Sequence, residues 1–312
     1  MLTPLVEGIF DGGGRYVLHE LFMRFTTMKV IECPRDAMQG LHEFISTDLK
    51  VEYLQSLLEV GFDTLDAGSF VSPKAIPQMR DTGRVLDRLD RSHSATRILA
   101  IIANLRGAQE ACQHPVVDYL GFPLSLSETF QQRNTNQSIT DALRLLDEIH
   151  QLCIRSNKVL VTYLSMGFGN PYGDPYNVEK VAEMTGVLQD MGVSVISLAD
   201  TIGMATQEQI RNLFAGLKQD FPSLEIGVHL HASATSAASK IEAALLAGCQ
   251  RIDGALLGFG GCPMAEDVLV GNIPTEILLD ILQKKGIKYT INQEALSRSL
   301  QLAARVFGRH RA

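Results

Sequence analysis

The sequence lacks several features that mark whole classes of protein. No stretch approaches about 18 uninterrupted apolar residues, so no membrane-spanning helix is expected. The net charge is −7, and the sequence contains no run of Lys or Arg. Both facts argue against the basic groove that nucleic acid requires. The remaining composition, 46% hydrophobic and 20% charged, is typical of a globular protein with enough apolar material for one large core.

Cysteine is also scarce. The chain contains Cys33, Cys112, Cys153, Cys249 and Cys262. Their number is odd, they are widely spaced, and no two form a C-x-x-C pair, which argues against a disulfide framework or a zinc knuckle. This usage favours a reduced, cytoplasmic chain in which most of the thiols are small buried hydrophobic groups.

The first 27 residues differ from the rest because they hold a glycine triplet and no clear hydrophobic period. Early Glu7 and Asp11, without a basic segment followed by an apolar one, argue against a secretory signal. The first convincing strand pattern begins directly after Met28. We therefore expect residues 1–27 to be a leader from an upstream start, and residues 28–312 to form a single catalytic domain.

From Met28 onward, short apolar runs alternate with longer amphipathic ones. Strands are predicted over 29–33, 62–69, 97–103, 116–122, 158–166, 193–200, 224–231 and 251–258. Helices are predicted over 47–61, 76–90, 105–113, 138–157, 177–192, 207–221 and 236–248, with two more at roughly 274–285 and 292–307. Repeated βα units predict an α/β fold with a parallel sheet, here a TIM (β/α)8 barrel with additional C-terminal helices. An open doubly wound sheet is the alternative, but no strand is followed by a G-x-G-x-x-G turn.

Polar residues stand where the predicted strands end, which is where a TIM barrel places its active site. Arg35 and Asp36 follow the first strand, Asp200 ends the sixth, and His229 and His231 end the seventh. Burying such charged and polar groups is costly, so their presence at strand ends indicates a functional role. The bland alternative is that the aspartates cap helices or pin loops, with the arginine neutralising one of them.

The two histidines lie two positions apart on a strand and therefore face the same side. They are either a pair of metal ligands or two ordinary core or surface histidines. With Asp36 they form a mixed nitrogen and oxygen set that suits Mg²⁺ or Mn²⁺. The same count of ligands fits a non-haem Fe(II) oxygenase, but the parallel βα repeat weighs against that class.

A glycine-rich segment over 258–272 contains Cys262. It is either a flexible turn or an active-site lid that carries the thiol. No Lys-Ser or Lys-Thr pair follows the glycines, so the segment is not a phosphate-binding P-loop.

Seven segments in order resemble the 3-hydroxy-3-methylglutaryl-CoA (HMG-CoA) lyase family. They are ECPRDAMQ (32–39), SFVSPKAIPQM (69–79), SMGFGNPYGDP (165–175), ADTIG (199–203), VHLH (228–231), GFGGCPMA (258–265) and GNIPTE (271–276). They extend over nearly the whole chain, and the sequence is identified as a member of this family. The resemblance implies a metal-dependent carbon–carbon lyase on a TIM barrel that cleaves HMG-CoA to acetoacetate and acetyl-CoA, a reaction of leucine degradation.

The resemblance also implies roles for individual residues. The implied ligands of Mg²⁺ or Mn²⁺ are Asp36, His229, His231 and Asn272. The implied catalytic residues are Arg35, Asp66, Asp200, His229 and Cys262. The implied contacts to the acyl-CoA substrate are Gln39, Asn104, Tyr163 and Ser165. Asp200 with help from His229 would remove a hydroxyl proton, and Arg35 would stabilise the enolate oxygen. His229 or Cys262 would protonate the enolate carbon.

Several positions depart from the family pattern. Ala232 follows the two histidines where an aspartate is frequent, and Asp66 is one methylene shorter than the family's glutamate. Gly40-Leu41-His42 replaces Asn-Glu-Lys, and Asn170 stands at a frequent cysteine position. None of these removes an expected metal ligand.

The departures keep other functions open. The alternatives are a lyase for a related 3-hydroxyacyl-CoA, an enzyme that condenses an acyl-CoA with a 2-oxo acid, and a non-catalytic barrel that binds metal or acyl-CoA. We expect no nucleic-acid or membrane partner. An exposed C-terminal helix over 292–307 is the expected surface for a homodimer.

Overall fold

The structure is a computed structural model that describes residues 27–261 and 270–308. The expected leader, apart from its last residue, and Cys262 lie outside these residues. Within them, no helix combines the length and apolar character needed to cross a lipid bilayer.

Eight parallel strands of the described chain form a closed barrel in sequence order, with the first strand paired to the eighth. They are β1 (Lys29–Glu32), β2 (Thr64–Ser69), β3 (Arg97–Ile101), β4 (Val117–Ser125), β5 (Val159–Ser165), β6 (Val195–Asp200), β7 (Glu225–Leu230) and β8 (Arg251–Gly254). The predicted TIM barrel is confirmed, and the open sheet is wrong.

Eleven α-helices of the described residues surround this barrel. They are α1 (Pro34–Gln39), α2 (Thr47–Val60), α3 (Thr82–Leu86), α4 (Leu105–Cys112), α5 (Glu128–Thr135), α6 (Ile139–Arg155), α7 (Val178–Asp190), α8 (Gln207–Asp220), α9 (Ala237–Leu246), α10 (Thr275–Lys285) and α11 (Gln293–Phe307). The helix α6 illustrates how the hydrophobic period of the sequence predicts a helix. Ser138 caps its N-terminus, and its buried face consists of Ala142, Leu146, Ile149 and Cys153.

Two parts of the helical layer differ from the sequence prediction. The helix expected over 76–90 is a 3₁₀ turn, Pro77–Met79, followed by the five-residue helix α3. The interruption allows Thr82 to pack against Gly68, where an added Cβ would lie 2.5 Å from the threonine methyl. The sequence predicted neither α1 nor α5, because α1 has only six residues and α5 is mostly polar and shows no hydrophobic period.

The main apolar core lies between the barrel and its helices and extends from Met28 to Phe307. The C-terminal helix α11 contributes to this core, since Phe307 meets Tyr53 of α2 edge-to-face with ring centroids 6.0 Å apart. Its apolar face is therefore buried within the chain, and the expectation that this helix is exposed for pairing is wrong for that face.

Candidate active site

The carboxyl ends of β1 and β7 bring three of the expected metal ligands together. Asp36 lies in the first turn of α1, which Pro34 opens directly after β1. His229 lies on β7, and His231 follows this strand. One donor atom from each of the three side chains lies within 4.8 Å of the others, and all three residues are buried.

The spacing of these donor atoms fits a divalent cation. The Nε2 atoms of His229 and His231 are 3.1 Å apart. Two neighbouring ligands of an octahedral ion, each about 2.1 Å from it, are separated by about 3 Å. One carboxylate and two imidazoles leave further positions open for oxygen ligands.

Asn272 is held beside this group by a bridge between its backbone and that of His231. Its Nδ2 donates to Asp36 Oδ2 at 2.7 Å and to the Phe259 carbonyl at 2.9 Å. To bind a cation, the amide must turn so that its oxygen replaces the nitrogen. Gly260 permits the close approach: its φ is +117°, and an added Cβ would lie 2.2 Å from Asn272 Nδ2.

Arg35 lies next to the three ligands in a fixed orientation. Its Nη2 and Nε donate to Asp66 Oδ2 at 2.5 and 3.0 Å, and its Nη1 donates to Asp36 Oδ1 at 3.0 Å. Gln39 joins the group, accepting from Arg35 Nη1 at 3.0 Å and donating to Asp36 Oδ1 at 2.7 Å. The structure therefore brings Arg35, Asp36, Asp66 and Gln39 into one hydrogen-bonded set.

Burial and neighbouring charge act against each other on these groups. Burial alone would lower the pKa of Arg35, but the charges of Asp66 and Asp36 raise it above its ordinary value. Burial would raise the pKa of Asp36, but Arg35 and the two imidazoles lower it well below its usual range. Burial raises the pKa of Asp66 to about 6, against the pull of Arg35. At neutral pH the site therefore holds one guanidinium and two carboxylates.

Asp253 on β8, which is not among the residues expected from the sequence, contacts the site. Nδ1 of His229 donates to Asp253 Oδ2 at 3.2 Å. Burial lowers the pKa of His229, and the hydrogen bond and charge of Asp253 outweigh this effect and raise it. Burial, followed by the charge of His229, lowers the pKa of His231 to about 4, which keeps that ring neutral. The only signal in the sequence was an acidic residue inside a predicted strand, and all four residues of β8 are buried.

Asp200 does not join this group. It ends β6 as expected, but Lys240 Nζ donates to its Oδ2 at 2.6 Å and the Ala205 N–H donates to its Oδ1 at 3.1 Å. The carboxylate does not line the cavity above the metal ligands. Lys240 was also missed, although a lysine within the apolar, alanine-rich helix α9 was the available signal.

A cavity of about 470 Å³ opens above the metal ligands at the carboxyl end of the barrel. The four expected substrate contacts, Gln39, Asn104, Tyr163 and Ser165, all line it, as do Arg35, Asp36, His229 and His231. Asp66 and Asn272 lie behind this lining. Arg133 from α5 lines it as well and supplies a cation. The cavity therefore combines a candidate metal site with a cationic side chain that an anionic substrate could use.

Comparison with known proteins relates this arrangement to one family. Residues 30–302 match the family model described as HMGL-like. The hydroxymethylglutaryl-CoA lyase of Bacillus subtilis is 32% identical over 263 residues, covering 84% of this chain and 87% of that protein. The human mitochondrial hydroxymethylglutaryl-CoA lyase is 32% identical over 270 residues, covering 86% and 82%.

Solved structures give a matching result. An HMG-CoA lyase of Acinetobacter baumannii, in complex with coenzyme A and 3-methylmalate, has a TM-score of 0.84 and 30% identity to this chain and covers 92% of each chain. The HMG-CoA lyase of Bacillus subtilis has a TM-score of 0.84 and 30% identity, covering 90% of this chain and 94% of that chain.

Proposed function

The chain belongs to the HMGL-like family, and we propose that it is a divalent-metal-dependent carbon–carbon lyase that cleaves HMG-CoA to acetoacetate and acetyl-CoA. The observation that carries the proposal is the buried set of Asp36, His229 and His231, placed beside Arg35 on the floor of the cavity. An oxygen-rich substrate could reach both the ion and the guanidinium from this cavity.

A bound Mg²⁺ or Mn²⁺ would act as a Lewis acid toward the oxygens of the substrate. Asp36, His229 and His231 would hold it, with Asn272 as a fourth ligand once its amide oxygen faces the ion. A carboxylate and two imidazole nitrogens suit either ion.

The reaction breaks the bond between C2 and C3 of the substrate. The C3 hydroxyl gives its proton to solvent in the open cavity and becomes the ketone of acetoacetate, while the bonding electrons pass to the thioester as an enolate. C2 then takes up one proton and becomes the methyl group of acetyl-CoA, so the reaction consumes no net proton. Arg35 is a permanent cation oriented by Asp66, and it stabilises the negative charge that develops on the enolate oxygen.

Two expected proton-transfer roles change in this proposal. Asp200 is assigned a positioning role instead of that of a base, because its carboxylate is bound to Lys240 and does not line the cavity. His229 is assigned a ligand role alone, because its Nδ1 donates to Asp253 and its Nε2 faces His231. Cys262, on the glycine-rich segment, is kept as the proposed donor to the enolate carbon.

A related 3-hydroxyacyl-CoA is the second candidate substrate. Asp66 is a shorter carboxylate than the family's glutamate, and both of its oxygens accept from Arg35. The shorter side chain therefore sets the position of the guanidinium, which lines the cavity that would receive the acyl group. We further propose that the protein is a cytoplasmic enzyme of leucine degradation. We also propose that residues 28–312 form its catalytic domain after a leader, and that it is a homodimer.

The test is to incubate metal-stripped protein with HMG-CoA, with and without Mg²⁺ or Mn²⁺, and to quantify both products. Equal amounts of acetoacetate and acetyl-CoA that depend on the ion are expected. The variant Asp36→Asn, which lacks the carboxylate ligand, is the matched control and should show little cleavage. Metal binding without cleavage of HMG-CoA would reject this substrate and lead to a screen of other 3-hydroxyacyl-CoA thioesters.

A further inference from the structure

Lys240 is a charged residue that the proposed reaction does not use, and it is only 4% exposed. Its Nζ donates to Asp200 Oδ2 at 2.6 Å, to the Gly203 carbonyl at 2.8 Å and to the His231 carbonyl at 2.8 Å. An ammonium group has three donors, so all of them are used. Burying such a charge is costly unless it is paired and hydrogen-bonded as it is here.

The three acceptors belong to different parts of the catalytic face. Asp200 ends β6, Gly203 lies in the loop after it, and His231 follows β7. The strands β6 and β7 are neighbours, with Asp200 paired to Leu230. One side chain from α9 therefore fixes the ends of two adjacent strands to each other and to the loop between β6 and α8.

The backbone of His231 is held from two sides. Lys240 binds its carbonyl on one side. On the other, its backbone is bridged to Asn272, and the next N–H, of Ala232, donates to the Gly271 carbonyl at 2.9 Å. Because a ligand is most effective when its backbone and ring are already fixed, these contacts favour a preformed site.

The conformation of Gly203 is independent evidence that the loop after β6 lies close to His231. Its φ is +72°, a backbone conformation that favours glycine. A Cβ added there would lie 2.7 Å from the Cγ1 atom of Val270 and 3.4 Å from the His231 carbonyl oxygen. The loop that contains Gly203 is thus packed against the segment that carries His231. Lys240 links the two by donating to both carbonyls.

We propose that Lys240 is a positioning residue for the metal centre: it holds His231 in place through its carbonyl and uses Asp200 to neutralise its own charge. It does not line the cavity, so it acts through His231 and not on the substrate. The inference rests on the proposed metal site, but it does not depend on which acyl-CoA is cleaved.

The test is the dissociation constant for Mn²⁺, measured by titration without substrate. Lys240→Met is expected to weaken Mn²⁺ binding by about 10- to 100-fold, the usual effect of removing a group that orients a ligand. Asp200→Asn retains the lysine and its bond to His231 but removes the countercharge of the ammonium, so it is expected to weaken Mn²⁺ binding less than Lys240→Met does. Lys284→Met removes an exposed lysine of α10 and is the matched control, expected to leave the affinity unchanged.

Lys240→Met leaves Asp200 buried and unpaired, which endangers folding. The double variant Lys240→Met with Asp200→Asn removes both charges and still lacks the donor to His231. Weak Mn²⁺ binding by this folded variant would support the proposal, and wild-type affinity would overturn it, as would a wild-type protein that binds no Mn²⁺. Wild-type protein that binds Mn²⁺ without cleaving HMG-CoA would reject the proposed substrate and leave the comparison of affinities intact.

Discussion

Asp253 Oδ2 accepts a hydrogen bond from Nδ1 of His229 at 3.2 Å, and the other ring nitrogen, Nε2, faces His231. The carboxylate thereby fixes the proton on Nδ1 and leaves the lone pair of Nε2 directed at the candidate metal position. This relation of carboxylate, imidazole and ion recurs in metal sites because it sets both the tautomer and the angle of the ring.

Asp253→Asn is expected to weaken Mn²⁺ binding by about tenfold or more, because the amide has no charge to fix the imidazole proton. The measurement is a titration of the metal-stripped variant with Mn²⁺. Asp280→Asn, an exposed change on α10, is the control. Equal affinities for the Asp253 variant and wild type would show that His229 needs no such orientation.

Arg35→Gln is expected to reduce kcat by about 100- to 1,000-fold, since the variant lacks the cation that faces the developing enolate oxygen. Mn²⁺ should still bind, because Asp36 and both histidines remain. Arg35→Lys should also be impaired, because one ammonium cannot reproduce the forked contact with Asp66. Steady-state kinetics with HMG-CoA at saturating metal tests this, and near-normal turnover of Arg35→Gln would remove the arginine from the mechanism.

Gly260→Ala is expected to abolish most activity and to weaken Mn²⁺ binding, because its Cβ would lie 2.2 Å from Asn272 Nδ2 and 2.9 Å from Asp36 Oδ2. The matched control is Gly216→Ala within α8, where an added Cβ meets nothing within 4 Å. There the change should stabilise the protein by up to about 1 kcal/mol. Metal titration and thermal unfolding of both variants separate the effects. Full activity of Gly260→Ala would mean that the loop can shift freely.

Glu32 predicts a pH dependence of stability that is separate from the active site. Its Oε1 accepts from the Leu256 N–H at 2.8 Å and its Oε2 accepts from Thr275 Oγ1 at 2.6 Å. Burial raises the pKa of Glu32 from 4.5 to about 8. Between these values the folded protein keeps a proton that the unfolded chain has released. The neutral Glu32 carboxyl therefore stabilises the folded protein fully below pH 4.5, and this contribution is lost as the pH rises through about 8.

We expect the free energy of unfolding of wild type, relative to Glu32→Gln, to fall steadily between about pH 5 and pH 8. Urea denaturation at several pH values measures it, with Glu59→Gln on the surface of α2 as the control. Parallel pH profiles for wild type and Glu32→Gln would show that this carboxyl is ionised in the folded protein.

The sequence by itself determined the barrel and indicated His229 and His231 as candidate metal ligands. Eight apolar runs alternating with amphipathic ones predicted βα units, and the alternation of a strand placed His229 and His231 on one side. These are local properties, because the periods of strands and helices follow from the geometry of a few neighbouring residues.

Tertiary structure alone decided which distant residues support those ligands. Asp253 meets His229 across two strands, and Lys240 meets Asp200 across 40 positions of sequence. Neither contact can be predicted from the periodicity of the sequence, because a hydrogen bond depends on the positions of two side chains in the folded protein. The same reason explains why Asp200 was assigned to the reaction: its place at a strand end is a local fact, whereas the lysine that occupies its carboxylate arrives from a separate helix.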